Sequence, residues 1–162
     1  MPHVSRNLDE LCAALAQTYS APAIIGIDGW TGVSKTTLGR DLAARFMGHA
    51  YDLDSALTRD QRQYRAAIRI DEVADALKRH NRLLFVSGIC LRQILDDAGC
   101  GADGHIYVKR MAVWGWPDED ELAGAIDEVP GSSGESVRQE LRAYHEHWHP
   151  HEIAEFEFHR QV

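Results

Sequence analysis

An α/β fold, one domain of three layers around a mostly parallel sheet of about five strands, is what this sequence predicts, and three observations predict it. Short apolar runs rich in β-branched residues alternate with stretches of helical periodicity. Most of these runs are bounded by glycine or acidic turn residues, as buried parallel strands are. No internal repeat and no low-complexity linker divides residues 1–162, a length that buries one core and is too short for two ordinary domains.

Taken in order, Leu8, Leu11, Cys12 and Leu15 recur at helical spacing, with Ser5 or Asn7 placed to cap the helix. The run APAIIGID is too short for a helix and fits a buried strand. A glycine loop follows, and KTTLGRDLAARFMG restores helical spacing through Leu38, Leu42 and Phe46 until Gly48 ends it. AYDLD predicts a second strand ending in two acids, and VADALKRH a helix with Asp71 as its N-cap. RLLFVSG predicts a third strand, ICLRQILDDAG a helix closed near Gly99, and GHIYVKRM a fourth strand. From Trp114 to Glu135 the pattern gives way to Gly, Pro, Ser and acids, with one short helix expected over 118–126. GESVRQELRAYHEHW predicts a long helix, and the alternation of EFEFH a terminal edge strand.

Composition narrows the function classes. A content of 44% apolar and 26% charged residues is that of a folded, not a disordered, chain. The net charge of −8 supplies no basic field for a nucleic-acid polymer, although a local site for a small anion is compatible with it. Cys12, Cys90 and Cys100 are odd in number and have no C-x-x-C spacing, so neither a disulfide framework nor a structural zinc site is expected. No run of about 18 apolar residues and no signal-like start is present, so a cytoplasmic setting without a membrane partner is expected.

The chemistry is carried by residues 26–37, GIDGWTGVSKTT. The pattern G-x-x-x-x-G-K-[ST] is met at Gly29, Lys35 and Thr36, with Ser34 in place of its last glycine. In such a loop successive backbone N–H groups and the helix N-terminus surround phosphates, the lysine reaches the β- and γ-phosphates, and the hydroxyl ligates Mg²⁺. The expected nucleotide-binding set is therefore Gly29, Trp30, Thr31, Gly32, Val33, Ser34, Lys35, Thr36 and Thr37. Ser34 adds a Cβ where backbone and phosphate come closest; a positive φ there carries strain of roughly 1 kcal/mol, and a negative φ carries none.

With its apolar strand ending I-D-G and the following x-x-G-x-x-K-T-T-L, the chain resembles the P-loop nucleoside and nucleotide kinases, in particular the uridine-kinase-like branch. YDLDSAL is similar to the end of that family's second strand, and LRAYHEHWHPHEIAEFEFH to its C-terminal helix, proline and last strand. The resemblance implies a P-loop NTPase fold with the loop strand central, ATP as donor and a small hydroxyl-bearing acceptor such as a nucleoside. It implies that Lys35 stabilises the transferring phosphoryl group, that Thr36 holds Mg²⁺, and that Asp52 or Asp54 orients or deprotonates the acceptor hydroxyl, Asp54 also approaching the metal. Relatives place an acid before the glycine that ends the third strand, where this chain has Ser87. They carry lid arginines where residues 111–137 hold seven acids and no Lys or Arg. Arg110, Arg138 and Arg142 flank that segment; either they serve the γ-phosphate or they are helix-surface residues. A nucleotide-binding pseudoenzyme of the same fold is the alternative, and a homodimer is left open.

Four arginines, Arg59, Arg62, Arg65 and Arg69, crowd into TRDQRQYRAAIR, and the last three share a face if the stretch is helical. That face is either an anionic-acceptor site or a solvated surface. His145, His147, His149 and His151 lack an HExxH arrangement and are interrupted by Pro150, which argues against a metal site. Trp114 and Trp116 are candidates for stacking on adenine or for packing. No N-K-x-D guanine motif and no G-x-G-x-x-G follow the first strand, which argues against a GTPase and a dinucleotide-binding dehydrogenase.

Overall fold

The computed structural model describes residues 1–58, 63–78, 80–123 and 133–162, with 133–136 as backbone only. The elements run β1 (His3–Ser5), α1 (Leu8–Thr18), β2 (Ala23–Gly29), α2 (Lys35–Phe46) and β3 (His49–Asp52), then a 3₁₀ turn over Leu53–Ala56. They continue with α3 (Tyr64–Ala67), α4 (Ile70–Lys78), β4 (Leu83–Ser87), α5 (Leu91–Asp97) and β5 (Gly104–Met111). Last come α6 (Asp118–Ala123), α7 (Ser133–Trp148), α8 (Pro150–Ile153) and β6 (Phe156–Gln161).

The strands form one six-stranded sheet in the order β1-β6-β5-β2-β4-β3, every pairing parallel. Two sequence expectations change here. The sheet has six strands, not about five, because His3–Ser5 pairs with Phe156–Phe158. Three residues are too few to display a period, and a contact across the whole chain leaves no local signal. EFEFH accordingly ends in an interior strand between β5 and β1, not at an edge. Its alternation reflects two different faces: Phe156 packs on Tyr19 at 5.9 Å between ring centres, while Glu157 meets Lys109 Nζ at 2.8 Å.

Strand β2 is central, and its successive residues show why there are three layers. Ile27 faces α2, where a Cβ on Gly39 would lie 3.4 Å from its Cδ1. Gly26 faces the opposite way, where a Cβ would come within 2.7 Å of Leu91 on α5. Alternate residues of a strand point to alternate faces, so α2 covers one side and α5, with α7 beside it, the other. Ile25, Ile27, Phe85, Val86, Ile106 and Leu42 are buried in the core that results.

Local details refine the helix ends. Asn7, not Ser5, caps α1, its Oδ1 accepting the Glu10 N–H at 2.9 Å. Met47 takes the left-handed turn after α2, and Gly48 is required for another reason: a Cβ there would lie 2.3 Å from the Leu83 carbonyl oxygen. Asp71 falls in the first turn of α4 and is not its cap, because the helix already starts at Ile70. The short helix expected over 118–126 is α6 as far as Ala123, and 124–126 lie outside the described residues. Among the described residues no helix is long and apolar enough to cross a membrane.

Candidate functional site

The glycine loop joins the C-terminal end of β2 to the first turn of α2. Gly29 has φ 148° and a Cβ there would lie 2.7 Å from the Val108 carbonyl oxygen, so both dihedral and space demand glycine. Ser34 sits at φ 67° and ψ 37°, the left-handed conformation, and its side chain makes no capping bond. Of the two alternatives open at this position the strained one is realised, by roughly 1 kcal/mol. Trp30 and Val33 are buried and anchor the loop from beneath, whereas Thr37 is exposed.

A pocket of about 400 Å³ lies over the loop. Thr31, Gly32, Ser34, Lys35 and Thr36 line it from one side, and Asp52, Asp54 and Tyr64 from the other. Gly29, Trp30, Val33 and Thr37 do not contribute to its wall. Lys35 is only 8% exposed, and its Nζ donates to the Gly29 and Trp30 carbonyls at 3.1 and 2.6 Å. Burial pulls this ammonium down to about 8, against the opposing pull of Asp28, Asp54 and Asp52.

Asp52 and Asp54 were expected to extend one strand. The strand stops at Asp52, whose Oδ1 accepts the Asp54 N–H at 3.0 Å and so starts the 3₁₀ turn. The turn separates their surroundings. Asp52 Oδ2 accepts the Thr36 hydroxyl at 2.8 Å, while Asp54 Oδ1 accepts the Tyr64 hydroxyl at 2.7 Å. Thr36 and Asp52 thus bring two hard oxygen donors together beside the loop, the donor type that suits Mg²⁺, which uses one or two carboxylates plus phosphate and water. Ser87 ends β4 in register with Asp52 and is buried, so this strand end presents a hydroxyl and not a carboxylate.

Two of the three flanking arginines are engaged elsewhere. Arg110 pairs with the buried carboxylate of Asp118 through Nη2, with Nε 3.4 Å from its other oxygen. Arg142 donates to the Glu121 carbonyl at 2.7 Å and lies 3.3 Å from its carboxylate. Arg138 is exposed, and none of the three lines the pocket over the loop. The cation beside the loop is instead Arg160 of β6, Nη1 to the Ser34 carbonyl at 3.5 Å. It escaped sequence reasoning because only the sheet order brings β6 toward the loop.

The remaining clusters separate too. Among the described residues Arg65 and Arg69 do not share a helix face: α3 stops at Ala67, Arg65 pairs with Asp97 at 2.6 Å and Arg69 pairs with Glu72 at 2.8 Å, while Arg59 and Arg62 lie outside the described residues. His145 is buried with both ring nitrogens used: Nδ1 donates to the Leu141 carbonyl at 2.7 Å, so Nε2 accepts from the Tyr107 hydroxyl at 2.8 Å. Burial lowers its pKa to about 4. Among the described residues no group of three or more His, Cys, Asp or Glu converges on a metal position. Trp114 is exposed on a turn, while Trp116 packs on Tyr107 and under Lys109.

Three further residues were missed. Asp28, within I-D-G, is buried and bonded to Tyr144 of α7, and Tyr64 orients Asp54. Tyr144 carries no signal, since a hydroxyl partner 116 residues away cannot be read from spacing.

No family model matches the chain, and no curated protein matches it. Among solved structures it is similar to a possible uridine kinase from Bacillus stearothermophilus, with 15% identity over 93% of this chain and 96% of that one and a TM-score of 0.61. At that identity the likeness establishes the fold alone: a parallel six-stranded sheet flanked by helices.

Proposed function

We propose that the chain is an ATP·Mg²⁺-dependent kinase that moves the γ-phosphoryl group to a hydroxyl of a small molecule, a nucleoside being the first class to test. The observation that carries this reading is the convergence of Lys35 and Thr36 with Asp52 and Asp54 in one pocket. In the transfer, the bond between the γ-phosphorus and the bridging oxygen of the leaving diphosphate breaks as the acceptor oxygen bonds to phosphorus. Lys35 and the loop N–H groups hold the charge that develops on the phosphoryl oxygens. Asp54, oriented by Tyr64, takes the hydroxyl proton, and Asp52 with Thr36 would hold Mg²⁺, which would supply charge neutralisation for the phosphates.

A second reading, a nucleotide-binding pseudoenzyme, is favoured by the pairing of Arg110 and Arg142 with acids and by Ser87 at the end of β4. Calorimetry with Mg·ATP, followed by ATP consumption with nucleosides and other hydroxyl compounds, separates the two. Turnover with one acceptor supports the kinase, binding without turnover supports the pseudoenzyme, and no binding sinks both.

A further inference from the structure

Asp28 takes no part in the transfer, yet it is 1% exposed at the foot of the phosphate loop. It lies on the face of β2 covered by α5 and α7. Its Oδ1 accepts the Gly29 N–H at 2.8 Å and its Oδ2 accepts the hydroxyl of the buried Tyr144. Tyr144 in turn accepts the Arg92 N–H at 3.1 Å, so one phenol joins β2, α5 and α7. The charged and titratable groups around this carboxyl are Lys35 from α2, Arg92 and the preceding Cys90 from α5, Tyr144 from α7 and Tyr107 from β5. Lys35 and Arg92 act on it through space, and Lys35 Nζ itself is held only by neutral carbonyls.

We infer that Asp28, held by Tyr144, is the counter-charge of Lys35 in the free loop and takes up a proton when a bound phosphate draws the Lys35 ammonium away. The inference rests on the reading of the loop as a nucleotide site. A phosphate oxygen carries more charge than the two carbonyls that hold Lys35, so it wins the ammonium. Asp28 then loses its positive neighbour and gains a negative one, both of which disfavour its ionised form. Burial already pushes this carboxyl up to about 6 against the Tyr144 and Gly29 hydrogen bonds and the Lys35 charge. Removing the last of these moves it higher.

The proton, taken from solvent, has two places to go, and each disturbs a bond. On Oδ1 it displaces the Gly29 N–H. On Oδ2 it inverts the Tyr144 bond, leaving the phenol oxygen with two donors, Asp28 and the Arg92 N–H, while its own O–H must find another acceptor. Loop occupancy is thereby transmitted to α7. Because the bound state holds the proton more tightly, affinity falls as pH rises above about 6, by at most roughly tenfold per pH unit.

Calorimetry of Mg·ATP without acceptor, at about pH 6.5 in two buffers of different ionisation enthalpy, counts the protons. At that pH Lys35, with its pKa at about 8, is already charged and adds little. Wild type is expected to take up about half a proton or more per nucleotide. Asp28→Asn loses this uptake, and Tyr144→Phe reduces it, because Asp28 without its donor is already protonated in the free protein. Should Asp28→Asn fail to fold, the carboxyl ¹³C shift of Asp28 with and without Mg·ATP reads the same event directly. Binding with no uptake, uptake unchanged in Asp28→Asn, or an unmoved carboxyl shift overturns the inference and leaves the kinase reading standing. Absence of Mg·ATP binding overturns both.

Discussion

The β2–α2 corner and the segment from the end of β5 to α7 carry their cations in opposite ways. At the corner Lys35 is buried and held by two carbonyl oxygens, partners that a phosphate can replace at low cost. Along the other segment Arg110 is committed to the buried carboxylate of Asp118. A cation held by carbonyls is available to an anionic ligand, and one in a buried charge-assisted pair is not. In the proposed kinase reading, holding a phosphate and stabilising its transfer would therefore rest on different residues.

Lys35→Ala tests the first half of that contrast most severely. Binding of Mg·ATP is expected to weaken by about 1,000-fold, roughly 4 kcal/mol, measured by calorimetry. A change under tenfold would mean that the backbone cradle alone carries affinity.

Acid comes next, because His145 joins the two regions, lying 5.9 Å from the Trp30 ring of the loop and bonded within α7. Its folded pKa, about 4, is below the ordinary value of 6.5, so the unfolded chain binds the extra proton. Its contribution is complete above pH 6.5 and is lost as pH falls toward 4, about 2 kcal/mol being gone at pH 5. Urea unfolding at pH 7 and pH 5 checks this, with His145→Gln expected to flatten the difference; an equal slope in both proteins would remove His145 from the account.

Asp118→Asn sharpens the second half. Weakening the buried partner of Arg110 is expected to cost about 1–2 kcal/mol in urea unfolding, with the Mg·ATP dissociation constant changed by less than about twofold. Markedly tighter binding would mean that the released guanidinium reaches the phosphates after all. The smallest effect belongs to Ser34→Gly, which relieves the left-handed serine at φ 67° and is expected to gain about 1 kcal/mol, or some 2–4 °C in Tm. A thermal shift of zero would show that the serine is unstrained in its loop.

The parts of the site that were legible in the chain are those that lie close together along it. Lys35, Thr36 and the loop glycines sit within eight residues of one another, and the bordering strand and helix have their own periods. The two aspartates were legible as a pair but not in their division of labour, because the 3₁₀ turn that directs Asp52 to Thr36 and Asp54 to Tyr64 depends on a carboxylate bond to a backbone N–H. Arg110 was left open between a γ-phosphate role and the protein surface, since its partner, eight residues on, belongs to a stretch that carries four acids and no pattern to choose among them.

By itself, then, the sequence determined the alternation of strands and helices and the central glycine loop, because hydrophobic period and backbone freedom act over a few residues. The tertiary structure alone decided that His3–Ser5 completes the sheet, that Ser34 adopts the strained conformation, and that Arg110 is paired with Asp118. It alone tied Asp28 to Tyr144. Each of these is a pairing or a dihedral selected by packing between segments distant in the chain, where the energy of contact, and not local preference, makes the choice.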